Sequence, residues 1–289
     1  MKTALTIAGS DSSGGAGIQA DLKTFQAHGV FALTAITAVT VQNTMKVIDI
    51  QEISPDIVKG QILCLFDDME IHAVKIGMVS NVPVIEAIAG ALSMVKRPPV
   101  VLDPVMISKS GYPLLREEAS SALVRRLFPL ADIVTPNLFE AQSLVGSEIR
   151  TVGQMREAAR RIVDFGARKV VVKGGHLGGN RATDVLFDGK EFRELEDERI
   201  ETRNTHGTGC TFSSAIAANL ARGLPFFDAV AHAKRYITGA IRHALPLGRG
   251  HGPTNHFFEL YARAGLNTEQ DPQAAPSASD SPTPTTLEE

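Results

Sequence analysis

The segment NTHGTGC, which ends at Cys210, combines the residue types expected of a phosphoryl-transfer loop. It runs into TFSSAIAANLARG, which predicts a helix that ends at Gly223. Small residues leave the first N–H groups of a helix unblocked, and the helix dipole also favours an anion there. We therefore expect the backbone of Gly207, Thr208 and Gly209 to cradle charge on a phosphoryl group. Cys210 would be a reactive thiol, because the pKa of a cysteine falls at a helix N-terminus.

A second glycine-rich loop precedes the first predicted helix. Its stretch GAGIQA, residues 15–20, matches the G-x-G-x-x-A fingerprint of dinucleotide-binding folds. That fingerprint needs an acidic residue at the end of the second strand to hold a ribose, but this chain has Gln42 and Asn43 there. A nicotinamide-dependent oxidoreductase is therefore an alternative for which the chain lacks the expected acidic residue. The other alternative is a tight turn that only lets helix and strand pack closely.

Composition argues against several classes of protein. The chain of 289 residues has a net charge of −3 and no cluster of lysine and arginine, so we expect no nucleic-acid partner. No apolar run approaches the ~18 residues of a membrane-spanning helix, which predicts no membrane partner. The two cysteines, Cys64 and Cys210, lack the spacing of a disulfide framework or a zinc site. We expect a cytoplasmic protein, with Cys64 in the core among its apolar neighbours.

Short apolar runs alternate with amphipathic stretches, which predicts strands that alternate with helices. The predicted strands cover residues 4–8, 32–41, 73–76, 100–102, 133–135 and 169–172. Predicted helices cover residues 16–28, 55–66 and 156–165, the second with Ser54 as its N-cap and Pro55 at its first position. This alternation indicates an α/β fold with a mostly parallel central sheet and helices on both faces. In such sheets, ligands bind beyond the carboxyl ends of the strands.

Three regions depart from this alternation. Residues 46–53 read as a half-exposed strand, and Asp188 followed by Gly189 predicts a hairpin turn. Residues 265–289 are rich in Pro, Ser and Thr, contain no Lys or Arg, and have too little apolar surface to order themselves. We therefore expect one domain over residues 1–264 and a disordered acidic tail over residues 265–289.

Several motifs converge on one family. They are GSDSSGGAGIQADLKTF at residues 9–25, VQNT at 41–44, KIGM at 75–78, VLDPVM at 101–106, TPNLFEA at 135–141, VKGGH at 172–176, NTHGTGC at 204–210 and GRGHGP at 248–253. In these motifs and their order, the chain resembles the hydroxymethylpyrimidine and phosphomethylpyrimidine kinases of thiamine biosynthesis, in the ribokinase superfamily. So many matches in one order are far more specific than any single glycine motif.

The resemblance implies a single ribokinase-like α/β domain that uses ATP and Mg²⁺. Such enzymes phosphorylate the hydroxymethyl group of 4-amino-5-hydroxymethyl-2-methylpyrimidine and then phosphorylate the monophosphate to the diphosphate. They are usually dimers, so a homodimer is expected here. The resemblance leaves a pyridoxal kinase of the same superfamily as the closest alternative. A noncatalytic pyrimidine-binding module is a further alternative.

The resemblance also implies roles for the residues that would handle phosphate and metal. Cys210 stands where sugar kinases of the superfamily carry an aspartate base, although it could instead only position the substrate or pack the first helical turn. Asp103, at a strand end, and Glu140 would contact Mg²⁺. The ATP phosphates would bind Lys173, Asn137 and Thr208. From the residues alone, Asn137 could equally be an N-cap with Glu140 as its capping-box partner.

A further group of residues would contact the pyrimidine. The carboxamide of Gln42 offers a donor and an acceptor, which match the edge of an aminopyrimidine. The resemblance implies that Asp21 faces the substrate and that Met78 and Val105 line the ring pocket. For Asp21 the alternative is a solvated helix carboxylate, and for Met78 it is ordinary core packing.

Overall fold

A computed structural model describes residues 1–108 and 111–266 of the protein, and its centre is a single β-sheet. In chain order the strands are β1 (Thr3–Asp11), β2 (Phe31–Gln42), β3 (Val47–Glu52), β4 (Ala73–Ile76), β5 (Val100–Leu102), β6 (Ile133–Val134), β7 (Val170–Val172), β8 (Arg181–Phe187) and β9 (Phe192–Glu198). Their order across the sheet is β3-β2-β1-β4-β5-β6-β7-β8-β9. Each predicted strand is present, with ends that differ by a few residues at most.

The middle of the sheet is parallel, as the strand–helix alternation predicts. β1 pairs in parallel with both β2 and β4, and the parallel pairing continues through β5 and β6 to β7. The two edges are antiparallel, with β3 against β2 and the β8–β9 hairpin against β7. The hairpin turns at Gly189, whose φ of 92° suits glycine, and the side chain of Asp188 accepts hydrogen bonds from Lys190 and Glu191 N–H.

Helices cover both faces of the sheet. They are α1 (Gly17–Ala27), α2 (Pro55–Asp68), α3 (Val82–Ser93), α4 (Glu117–Ala122), α5 (Leu138–Val145), α6 (Val152–Asp164), α7 (Thr208–Ala221), α8 (Phe226–Arg242) and α9 (Phe258–Arg263). Side chains alternate across β1, so Leu5 and Ile7 join the core under α2, α3, α5 and α6, whereas Ala4 joins the core under α1, α7 and α8. The predicted two-faced α/β fold is therefore confirmed.

The helix ends show which local signals are used. Thr151 and Gln154 form a capping box at the start of α6. Pro55 begins α2 as predicted, but the side chain of Ser54 makes no capping hydrogen bond. Cys64 is exposed on α2, so the prediction that it lies in the core is wrong. The face of α2 that packs on the core carries Val58 and Ile62 instead.

The sheet brings the predicted site residues to one edge. β1 lies between β2 and β4. The chain therefore adds β2 and β3 on one side of β1 and then crosses to the other side to form β4. A ligand crevice is expected beside such a reversal, at the carboxyl ends of the strands. Asp11, Asp103 and Lys173 stand at or directly after the ends of β1, β5 and β7.

The predicted tail lies outside the described residues from residue 267 onward, so the division into residues 1–264 and 265–289 stays a prediction. Among the described helices, none combines the length and the apolar character that crossing a bilayer requires.

Candidate active site

A cavity of about 1240 Å³ opens at the carboxyl edge of the parallel strands. Most of the predicted site residues meet in its wall: Gln42, Met78, Asp103, Val105, Asn137, Glu140, Lys173, Gly207, Thr208, Gly209 and Cys210. Asp21 is the exception. One site therefore collects residues that are separated by up to 168 positions in the sequence, from Gln42 to Cys210.

The start of α7 forms one wall of this cavity. Its N-cap is Gly207, which has a φ of 77° and no side chain to occupy the first free N–H groups. A Cβ atom at Gly207 would lie 1.8 Å from the carbonyl oxygen of Gly15, so the two glycine-rich loops pack in direct contact. No side chain in the described part of the chain caps the first turn of α7, as an anion site needs, although Thr208 N donates to the carbonyl oxygen of Thr205 at 3.3 Å.

The end of β5 places a carboxylate next to that helix start. The Oδ1 atom of Asp103 accepts hydrogen bonds from Lys173 Nζ at 2.9 Å and from Thr135 Oγ1 at 3.2 Å. Burial lowers the pKa of Lys173, but Asp103 and Glu140 outweigh it and hold the pKa above its usual range. A Cβ atom at Gly209 would lie 3.4 Å from both Asp103 Oδ2 and Lys173 Nζ, so the pair is in contact with α7.

Asn137 and Glu140 form the capping box of α5. Glu140 N donates to Asn137 Oδ1 at 2.9 Å, and Asn137 N donates to Glu140 Oε2 at 2.7 Å. Burial raises the pKa of Glu140 to about 7, with Lys173 opposing and Asp103 adding to the rise. The capping alternative is therefore correct, and it leaves both residues in the cavity wall.

The donor set on this wall fits Mg²⁺. Magnesium is usually held by one or two protein carboxylates together with substrate phosphates, and Asp103 and Glu140 supply two carboxylates. Among the described residues, the Oδ2 atom of Asp103 accepts one long hydrogen bond of 3.5 Å, from Ser213 Oγ, so it retains acceptor capacity toward the cavity.

Cys210 is half-buried at the cavity wall, where α7 begins. Burial raises the pKa of its thiol to about 11, the ammonium group of Lys75 opposes the rise, and the carboxylates of Asp21 and Asp103 add to it. The expectation of a lowered pKa is wrong, because it considered only the helix terminus and not the desolvation that the surrounding fold imposes.

Asp21 does not face the substrate cavity, which corrects the expectation drawn from the family. Its side chain is fully buried, and both carboxylate oxygens lie 2.9 Å from the ammonium group of Lys75. Lys75 is itself fully buried, a position that sequence reasoning passed over. The signal was available, since Lys75 interrupts the otherwise apolar strand AVKI.

Gln42 stands at the end of β2 beside a histidine–aspartate pair. Thr40 Oγ1 lies 3.2 Å from Gln42 Oε1, and His206 Nε2 lies 3.4 Å from Gln42 Nε2. His206 Nε2 also lies 2.7 Å from Asp11 Oδ2. Burial raises the pKa of Asp11, but the hydrogen bonds from His206 and Ser13 outweigh it and bring the pKa down to about 2.

Sequence analysis did not identify Asp11 and His206 as site residues. Both line the cavity. A Cβ atom at Gly15 would lie 2.4 Å from His206 Cδ2, so the glycine of the GAGIQA stretch makes room for this ring. The fingerprint glycine is thus explained by loop packing.

Another part of the wall comes from β9 and α8 and from the segments beside them. Asp184 on β8 links α8 to the glycine-rich loop after β7. Its side chain accepts a hydrogen bond from Gly174 N at 2.9 Å and pairs with the ammonium group of Lys234 on α8 at 2.8 Å. A Cβ atom at Gly174 would lie 1.8 Å from the carbonyl oxygen of Thr183. This glycine loop is therefore anchored at its first residue, while Gly175 and His176 line the cavity.

The sequence model of one family, described as phosphomethylpyrimidine kinase, matches residues 11–255. This match takes in every residue of the cavity wall except Gly9 and Ser10. The chain belongs to the phosphomethylpyrimidine kinase family. As a member it is a phosphotransferase with a ribokinase-like fold, and the alternative of a nicotinamide-dependent oxidoreductase is excluded.

Similar proteins are found among both sequences and solved structures. A hydroxymethylpyrimidine/phosphomethylpyrimidine kinase of Rhizobium meliloti is 52% identical over 261 residues, which cover 89% of this chain and 98% of that protein. A thiamine biosynthesis bifunctional protein of Geobacter sulfurreducens is also 52% identical, over 88% of this chain, but the chain spans only 52% of its length. The solved structure of an ADP complex of Bacillus subtilis pyridoxal kinase is 44% identical, with a TM-score of 0.84, and covers 90% of this chain and 99% of that one.

Proposed function

We propose that the protein transfers a phosphoryl group from ATP to the hydroxymethyl group of 4-amino-5-hydroxymethyl-2-methylpyrimidine, and then phosphorylates that monophosphate to the diphosphate. The observation that carries the proposal is the single cavity in which Gln42 and Met78 lie with Cys210 and the uncapped start of α7. Binding, acceptor orientation and charge stabilisation can therefore act on one bound substrate.

Gln42 would select the heterocycle. Its carboxamide can donate to a ring nitrogen and accept from the exocyclic amine, and its neighbours Thr40 and His206 limit how it can turn. Met78 is almost fully buried and presents a polarizable thioether to a flat ring, with Val105 completing the apolar surface.

Cys210 would orient the acceptor hydroxyl and, in its thiolate form, take the proton of that hydroxyl late in the reaction. With a thiol pKa of about 11, only a small fraction is thiolate at neutral pH. Phosphoryl transfer passes through a loose transition state in which the acceptor oxygen is still weakly bonded, so little assistance from a strong base is required. The raised pKa therefore favours orientation as the larger part of this residue's role.

Charge on the phosphoryl group would be stabilised by the start of α7 and by Lys173. The backbone of Gly207, Thr208 and Gly209 lies in the wall, and the Lys173 ammonium stands against Gly209. Fixed donors in a desolvated site stabilise the charge that develops in the transition state without having to reorganise. We propose that Asn137 and Thr208 complete the contacts to the nucleotide phosphates.

Asp103 and Glu140 would hold Mg²⁺, which when bound neutralises phosphate charge. Lys173 holds Asp103 in place through the 2.9 Å contact. The N–H group of Asn137 holds one oxygen of Glu140, which keeps this carboxylate in the cavity wall.

We further propose that the enzyme is a cytoplasmic homodimer. Support for self-association comes from the edge of the sheet, where Val39, Val41 and Ile48 are 43%, 53% and 55% exposed. Exposed apolar side chains that cluster in this way often mark an interface. Sedimentation equilibrium of the protein at micromolar concentration tests the dimer, and a monomer at all concentrations would contradict it.

The function is tested by ATP consumption with three acceptors: hydroxymethylpyrimidine, its monophosphate and pyridoxal. The proposal predicts turnover of both pyrimidines, with products of one and two added phosphates by mass spectrometry. No turnover of either pyrimidine overturns it. Pyridoxal is included because a pyridoxal kinase superimposes with a TM-score of 0.84, and turnover of pyridoxal alone would establish that second candidate.

A noncatalytic binding module is the third possibility that this assay decides. Cys210, Asp103 and Glu140 all remain in one cavity, which supports catalysis. Binding of the pyrimidine in calorimetry without any consumption of ATP would be the result in favour of the module.

A further inference from the structure

A closed polar cluster lies in the core beside the cavity. Its centre is the ion pair of Asp21 on α1 and Lys75 on β4, both of which are fully buried. Two hydroxyl groups complete the cluster: Thr6 Oγ1 on β1 donates to Asp21 Oδ2 at 2.6 Å, and Ser214 Oγ on α7 donates to Asp21 Oδ1 at 2.6 Å. A buried ion pair of this kind adds little stability compared with an apolar core of the same shape. Stability alone therefore does not explain why the pair is present.

The spacing along the two helices connects this cluster to Cys210. Ser214 follows Cys210 by four residues on α7, and Asp21 follows Gly17 by four residues on α1. Residues four apart lie on the same face of a helix. The N–H group of Gly17 lowers the pKa of the Cys210 thiol, and the carboxylate of Asp21 accepts a hydrogen bond from Ser214 Oγ. The two helices therefore contact each other at two levels, Gly17 with Cys210 and, one turn further along, Asp21 with Ser214. The thiol lies at the level nearer the cavity.

The charges around the thiol come from four elements. Burial is the largest influence and raises its pKa, Lys75 of β4 lowers it, and Asp21 of α1 and Asp103 after β5 raise it. Lys173 after β7 also interacts with the thiol. The ammonium group of Lys75 therefore offsets part of the effect of burial on the thiol, and the carboxylate of Asp21 works against it.

We propose that Asp21 and Lys75 are positioning residues for the phosphoryl-transfer site, which hold the start of α7 against α1 and place a positive charge next to Cys210. The inference rests on the role proposed for Cys210. Asp21 orients α7 through Ser214, and Lys75 both holds Asp21 and offsets the desolvation of the thiol. Asp21, for which the sequence resemblance implies substrate contact, thus acts through α7 instead.

The test measures two properties of the same variants in a Cys64→Ser background, where Cys210 is the remaining thiol of the chain. The first property is the pH dependence of Cys210 alkylation by iodoacetamide. The second is the kcat and KM of pyrimidine phosphorylation. The variants are Lys75→Met and the doubly neutral Asp21→Asn/Lys75→Met, which keeps side-chain length and leaves no unpaired charge.

Lys75→Met is expected to slow alkylation at pH 8.5 by at least about tenfold, which corresponds to one pKa unit. The double variant is expected to slow it by less, because it also removes the opposing charge of Asp21. Both variants are also expected to lower kcat by about tenfold while the KM for ATP stays within about twofold of the parent. A folded double variant with parental alkylation and parental kcat overturns the proposal, since a merely structural pair would be replaced without loss. Because alkylation needs no substrate, this arm decides the inference even if no pyrimidine is phosphorylated.

A matched pair of hydroxyl variants covers the case in which the charge variants do not fold. Ser214→Ala and Thr6→Val each remove one 2.6 Å hydrogen bond to Asp21, one on α7 and one on β1. The proposal expects Ser214→Ala to lower kcat at least about fivefold and Thr6→Val to stay within about twofold, at similar losses of thermal stability. Equal effects on kcat would overturn the positioning role of α7.

Discussion

Two aspartate–lysine pairs lie beside the central sheet, and they differ in what surrounds them. Asp103 and Lys173 stand at the ends of β5 and β7, whereas Asp21 and Lys75 lie in the core. In both pairs the nitrogen and oxygen atoms are 2.9 Å apart. The side chain of Lys173 is 15% exposed and reaches the cavity, while that of Lys75 is fully buried.

The difference shows that residue type and contact distance do not assign a role. A charged pair that borders a cavity can exchange a partner for phosphate or metal, because ligand atoms replace solvent there. An enclosed pair has no such choice, so it can act only by holding the elements that carry it and through its charge on neighbouring groups. Substitutions in the two pairs should therefore have different effects on stability and on ligand binding.

The largest effect is expected on stability, from Lys75→Met. Removing one partner leaves the Asp21 carboxylate buried without its cation, which costs about 3–5 kcal/mol of unfolding free energy. Urea unfolding at pH 7 measures it. Lys173→Met is the control and should lose clearly less, because its partner Asp103 remains next to the cavity and its water. Equal losses would remove the distinction between the pairs.

The next effect is on activity, from Lys173→Met. We expect kcat/KM for ATP to fall by about 10²–10³-fold, as for the loss of one preorganised donor at a developing charge. Steady-state kinetics on the folded variant measures it, with circular dichroism as the control for structure. A fall of less than about tenfold would place Lys173 outside the phosphate contacts.

The carboxylate of Asp11 extends the comparison to the pH dependence of stability. Asp11 has a folded-state pKa of about 2, below the usual value, so its contribution to stability is present above pH 4 and is lost as the pH falls toward 2. Asp11→Asn should therefore be less stable than the parent by about 2 kcal/mol at pH 7, and the gap should close near pH 2. A gap that does not change with pH would contradict the pairing of Asp11 with His206.

The smallest effect is expected from Gln42→Ala, which acts on the acceptor alone. Loss of one or two hydrogen bonds to the ring should raise the KM for hydroxymethylpyrimidine about tenfold, and the KM for ATP should not change. Initial rates at varied concentrations of each substrate measure both values. A parallel rise in both would show that Gln42 supports the cavity as a whole.

Local patterns predicted the fold well because its signals are local. The apolar run of β4 and the Asp188–Gly189 turn each specify their element within a few residues. The cavity wall was predicted through motifs, which place Asp103, Lys173 and Cys210 in loops after predicted strands or at a helix start.

The remaining properties depend on tertiary burial and could not be read from one segment. Asp21 sits on an amphipathic helix, and only the packing of α7 against α1 shows that it is enclosed. The raised pKa of Cys210 has the same origin, since desolvation by distant segments outweighs the helix terminus. The pairing of Asp11 with His206 joins loops 195 positions apart.

Calorimetric titration of ATP tests the central claim most directly, because it asks which pair meets the ligand. The Kd should rise at least about tenfold for Lys173→Met, the loss of a charge-assisted contact. For the neutral Asp21→Asn/Lys75→Met variant it should stay within about twofold of the parent. Equal weakening in both variants would contradict the assignment of one pair to the ligand and the other to the scaffold.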